Sequence, residues 1–142
     1  MILVDISTLK EYHIYLLIKK LLETDYEFTD SFSEEVFFRT IINRAYYVSF
    51  LLSKYYLEII KHEIIKNPRD FDHDEKFITE HTQVIKLLNN KDTRKLSSKL
   101  SELKNLRKNA DYNFIITISE EECSQAIELM EDIVTKLKLL IE

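Results

Sequence analysis

The chain has 142 residues, a formal net charge of −5, no glycine, one proline and one cysteine. That length supports a single domain, 1–142, with a full core, while the missing glycines exclude Gly-rich phosphate loops and dinucleotide-binding turns and disfavour tight hairpins. A lone cysteine, Cys123, excludes an internal disulfide and a multi-cysteine zinc site. What remains is an all-α fold.

The first helix is expected over about 8–24, capped by Ser7 or Thr8, with Tyr12, Ile14, Leu17, Ile18 and Leu21 as its apolar stripe. A polar connection comes next, at 25–32. The second helix opens at a capping box, Ser31 with Glu34. It is expected to run to about Lys66, where Asn67-Pro68 ends it. Between Val36 and Ile60, seventeen of twenty-five residues are apolar or aromatic. Ile41, Ala45, Val48, Leu52, Tyr55, Tyr56 and Ile59 share one broad face. Arg39, Asn43, Lys54 and Glu58 define the other, which Tyr47, Phe50 and Leu57 interrupt. A helix apolar nearly all round is a central one, inside the bundle and against a second subunit.

Residues 67–77 form an acidic loop. Asp70, Asp72, His73 and Asp74 lack the spacing of a metal site, so they read as solvated. A short helix is expected over 78–89. A fourth spans 93–110 with Asp92 as N-cap. The fifth starts at a second capping box, Ser119 with Glu122, and its stripe (Cys123, Ala126, Met130, Ile133, Leu137, Leu140) puts the cysteine in the core.

Charge is unevenly placed along these helices. Segment 91–108 carries seven Lys/Arg against Asp92 and Glu102, a local +5, and segment 120–142 carries a local −5. Either the two helices dock with complementary rims, or the basic one meets phosphates. Within the basic segment, Leu96, Leu100, Leu103 and Arg107 are spaced four, three and four. A guanidinium that ends an apolar stripe is expensive unless it is paired or reaches water. Arg107, with Lys108, Asn109, Asp111 and Tyr112 beyond it, is therefore the leading site candidate.

Two segments carry a resemblance. Asn43-Arg44-Ala45-Tyr46-Tyr47-Val48-Ser49-Phe50 lies on the second helix. Leu106-Arg107-Lys108-Asn109-Ala110-Asp111-Tyr112 ends the fourth, with Glu80-His81-Thr82-Gln83 between them. In this order they resemble the HEPN family, in its small single-domain prokaryotic branch. The resemblance implies a bundle of about five helices with one long central helix, and a homodimer. It implies a metal-independent ribonuclease acting as toxin or in phage defence, or else a catalytically silent module binding nucleotide, RNA or a partner such as a nucleotidyltransferase antitoxin.

Active members place a histidine four to six residues after an arginine, and two such motifs form one composite site across the dimer. Arg107 matches the arginine and Asn109 the polar position behind it. Tyr112 stands where the histidine would be, and no histidine lies beyond Arg107. Cleavage through a ribose 2′-hydroxyl needs a base and an acid. Imidazole suits both near neutrality, whereas a phenol is a poor base but can donate a proton. The proton-transfer role then falls to Tyr112 or His81, with Arg107 as phosphate anchor.

His81 reads otherwise as a hydrogen-bonded residue at a helix start. Arg44 is either a second phosphate contact or a salt-bridge partner of Asp111 or of a glutamate on the last helix. Tyr46 and Tyr47 read as packing residues. Tyr112 is also the nearest tyrosine for an antitoxin to modify. No cofactor or metal is expected. A reducing cytoplasm is the expected location, because the lone cysteine and the absence of a signal-peptide pattern or apolar span all point there.

Overall fold

The protein is an all-α bundle, seen in a computed structural model that describes residues 6, 9–23, 28 and 30–142, with the backbone alone at 31 and 32. Its helices are α1 (Lys10–Leu22), α2 (Ser31–Tyr55), α3 (Glu80–Leu88), α4 (Arg94–Tyr112) and α5 (Glu120–Ile141). There is no strand among the described residues. α2 packs against α1, α4 and α5 and touches α3, so it is the central helix. Ile41, Ile42, Ala45, Tyr46, Val48, Phe50 and Leu52 are all buried, which covers more than one face and explains its unbroken apolar run. Opposite it, Leu96, Leu100 and Leu103 of α4 and Met130, Ile133 and Leu137 of α5 are buried. Each such side chain contributes about 1.5–3 kcal/mol.

Several boundaries differ from the sequence expectation for identifiable reasons. α2 begins after Asp30, whose carboxylate accepts from the Ser33 N–H at 2.7 Å. Asp30 is therefore its N-cap, not Ser31, whose side chain lies outside the described part, as do Ser7 and Thr8. The helix does not reach Lys66. It loosens into a π turn over Tyr56–Ile60, and the Glu63 N–H then bonds the Leu57 carbonyl at 2.8 Å. His62 closes this end at φ 56°, a left-handed position that usually takes glycine. A chain without glycine uses histidine there. Pro68 instead opens a single 3₁₀ turn, Pro68–Asp70.

The N-cap of α4 is Thr93, not Asp92. Asn90 turns the chain by accepting from the N–H groups of Asp92 and Thr93, and the Thr93 hydroxyl donates to the Leu88 carbonyl. α4 also runs two residues further than its stripe suggests, which keeps Asp111 and Tyr112 on the helix that carries Arg107. In α1 the buried residues are Tyr15 and Ile18, while Ile14 and Leu17 are exposed. Tyr15 is drawn inward by Glu131 of α5, which accepts its hydroxyl proton. The Ser119–Glu122 capping box of α5 is present, and Cys123 is buried, its thiol pushed up to about 11 by burial and then by Glu120.

Candidate anion site at the end of the basic helix

The Leu96–Leu103 stripe turns α4 so that Arg107 goes with the leucines into the bundle, and it is only 7% exposed. Its guanidinium carbon lies 5.0 Å from the Tyr46 ring, 5.8 Å from Tyr47 and 5.7 Å from Tyr112. Such ring faces attract a cation, yet they leave its N–H donors unused. Nη1 reaches the Asp111 carboxylate only at 3.5 Å and the Tyr112 hydroxyl at 3.4 Å. Nε is buried without a partner among the described residues. A buried donor of this kind costs free energy until an acceptor arrives.

Asp111 is held from the other side. The Asn43 amide on α2 donates to both of its oxygens, at 3.1 and 2.9 Å. Asp111 is thus paired with Arg107 and Asn43 rather than with Arg44. Arg44 is exposed and makes no ion pair among the described residues.

His81, in the first turn of α3, meets the same ring cluster. It stacks on Phe50 with centroids 4.1 Å apart, and its Nδ1 lies 2.6 Å from the Tyr46 hydroxyl. Burial raises the Tyr46 phenol well above the ordinary range, so it keeps its proton. It has no other acceptor among the described residues, so the His81 tautomer that satisfies it is the one in which Nδ1 accepts from the phenol. The imidazole proton then resides on Nε2, which makes His81 a neutral N–H donor on its free side. Burial first, then Arg107 and Lys104, pull its basicity below the usual histidine range. Lys104 is likewise lowered, by burial and then by Lys108 and Arg107. Like charges thus oppose one another here, with Asp111 paired to Arg107 only at long range and Glu80, which acts against them on His81, paired with Lys54.

Of the sequence candidates, Arg107, Asp111 and Tyr112 come together, and His81 joins them through the Tyr46 ring. Lys108 and Asn109 are exposed on the same last turns. Tyr112 is 72% exposed, and Phe114 and Ile115 beyond it are more open still. Asn43, Tyr46, Tyr47 and Lys104 belong to the site through these contacts.

One residue that sequence reasoning left on a polar arc proves central to its shape. Arg39 of α2 donates to the carbonyls of Asn109, Ala110, Asn113 and Ile116 at 3.1, 2.9, 3.2 and 2.7 Å. Glu35, four residues earlier, pairs with it at 2.8 Å and accepts from the Ile118 N–H. The Arg39 hydrogen bond, then that of the Ile118 N–H, hold the Glu35 carboxyl below its usual range. Together the pair clamps the end of α4 and the segment after it onto α2. Its i, i+4 spacing was the readable signal.

Among the described residues no three His, Cys, Asp or Glu side chains gather as metal ligands, and no helix is long and apolar enough to cross a membrane. In comparison with known proteins, the HEPN domain family model matches residues 23–140. Nothing among the curated proteins or the solved structures matches the chain.

Proposed function

The chain belongs to the HEPN domain family, and we propose that it is an RNA-directed member of the toxin or phage-defence type, holding an RNA phosphate with Arg107. One observation carries this reading: a nearly buried guanidinium whose Nε has no partner among the described residues and whose Nη1 has only long ones. An arriving phosphate oxygen displaces the 3.4 Å Tyr112 contact and gives the planar fork the acceptors it lacks. Lys104 and Lys108 add charge. The exposed Tyr112 and Phe114 rings offer stacking faces suited to unpaired bases. The site is completed by a second copy of the chain, docked through the exposed apolar residues Phe114, Ile115 and Ile116 that follow Tyr112.

Once RNA is bound, two outcomes are chemically distinct. In the ribonuclease reading, Arg107 stabilises the phosphorane and Tyr112 or His81 transfers the proton, without metal. The Tyr46–His81 bond favours the other. With Nδ1 occupied and the proton on Nε2, His81 has no free lone pair to take a 2′-hydroxyl proton. It is a donor to a phosphate oxygen, and the site is a holder of RNA more than a cleaver. In that reading the Arg107 site serves RNA, nucleotide or a nucleotidyltransferase antitoxin as a binding module in the cytoplasm.

RNA incubated with the protein in chelator separates the two readings. Cleavage leaving 2′,3′-cyclic phosphate ends, abolished by Arg107→Ala, supports the nuclease. Tight binding without cleavage, weakened by the same substitution, supports the holder.

A further inference from the structure

The basic helix has a second end. Around the start of α4 lies a cavity of about 770 Å³. Lys91, Arg94, Lys95, Lys99 and Lys136 line it against Asp92 and Asp132. The acidic α5 does not neutralise it. Lys99 pairs with Asp132 at 2.8 Å, but Lys91, Arg94, Lys95 and Lys136 make no ion pair among the described residues. Two other acids of α4 and α5 are engaged elsewhere: Glu131 with Lys19 and Tyr15, Glu102 with Gln125. The complementary-rim explanation of the charge split therefore accounts for one lysine of the segment, while Lys91, Arg94, Lys95, Lys104 and Lys108 make no ion pair among the described residues.

A helical repeat of 3.6 places Arg94, Ser98, Ser101, Asn105 and Lys108 along one side of α4. That side has small polar residues between its cations and no carboxylate in its line. It runs about 20 Å, at 1.5 Å per residue, from the cavity to Lys108, the exposed neighbour of Arg107, whose own side chain leaves the helix on the buried face. Small hydroxyl and amide side chains between cations suit a chain of regularly spaced phosphates and sugars better than a compact anion.

We propose that this side of α4 is a track for single-stranded RNA, with the Lys91–Arg94–Lys95 cavity as a second phosphate-binding station remote from Arg107. The proposal rests on the RNA reading of the Arg107 site. It adds that length of RNA, not one nucleotide, is what the protein measures. A dinucleotide fills the Arg107 corner alone, whereas a strand of about 10 nucleotides is long enough to engage both stations.

The test is an equilibrium titration of labelled RNAs of those two lengths, over a range of salt. The proteins are wild type, a triple variant (Lys91→Gln, Arg94→Gln, Lys95→Gln), its charge-keeping counterpart (Lys91→Arg, Arg94→Lys, Lys95→Arg), and Arg107→Ala. The Gln variant is expected to bind the long RNA roughly ten- to thirtyfold more weakly, with a salt slope lower by about 2, and the short RNA as wild type does. The charge-keeping variant is expected to bind both as wild type does. Unchanged long-RNA affinity and slope in the Gln variant would overturn the track. So would a loss confined to free ATP, which would make the cavity a nucleotide site. Arg107→Ala reports separately: if it leaves both RNAs bound as before, the reading of the Arg107 site fails, while the Gln variant still decides the track.

Discussion

At the scale of single residues, Arg107 is held by ring faces and one long ion pair, and Asp111 does not depend on it. Asn43 already satisfies both Asp111 oxygens, so removing the guanidinium strands no buried charge. Arg107→Ala is therefore expected to shift stability by about 1 kcal/mol or less in chemical denaturation, instead of the roughly 3–5 expected for breaking a buried pair. A loss in the larger range would make Arg107 a structural tie. His81 supplies a pH signature. Its proton affinity is lowered on folding, so the unfolded chain takes up that proton first. The stability it contributes is complete above about 6.5 and is lost as pH falls from there through its folded value. Glu35 acts in the same direction but only below the carboxylate range. Between about pH 7.5 and 5.5 the melting temperature of wild type should fall more steeply than that of His81→Gln. Parallel curves would remove the histidine from the account. The Gln amide also replaces the Nε2 donor, so His81→Gln should keep RNA affinity where His81→Ala loses it.

At the scale of elements, the Arg39–Glu35 clamp decides where α4 stops and where Tyr112 points. Arg39→Ala leaves four backbone carbonyls and a carboxylate without their donor, and is expected to cost about 2–4 kcal/mol. Arg39→Lys recovers only part, since an ammonium cannot span that fork. Proteolysis within residues 113–117 should accelerate in both variants, and no acceleration would contradict the clamp. Periodicity made the helices themselves legible: the Leu96–Leu103 spacing gave the buried face of α4, and Ser119–Glu122 gave the start of α5. The ends were not legible where a distant residue sets them. Arg39 extends α4 from about seventy positions away, and Tyr15 rotates α1 toward Glu131, a partner that no local pattern reveals. The π turn before His62 follows from no local pattern in the sequence.

At the scale of the whole molecule, the site was legible as an oddity of charge, but its chemistry was not. The stripe pointed to Arg107, yet only the fold brings Tyr46, Tyr47 and His81 from two other helices around it. That same juxtaposition decides which His81 nitrogen is free. The exposed apolar residues Phe114, Ile115 and Ile116, which follow Tyr112 in the chain, give a prediction about assembly. Ile115, almost wholly exposed at 97%, contributes nothing to the core of one copy. Ile115→Glu should leave the fold intact, convert a dimer to monomer in sedimentation, and weaken RNA binding with it. An unchanged sedimentation coefficient would place the second copy elsewhere or remove it. The central claim, that a buried arginine with spare donors exists here to hold RNA phosphate, is tested most directly by one titration. Single-stranded RNA is bound to wild type and to Arg107→Ala in chelator at low salt, with stability checked in parallel. The account predicts salt-sensitive binding that falls at least about tenfold in the variant while its melting temperature stays close to wild type. Equal affinity in the two proteins would contradict it.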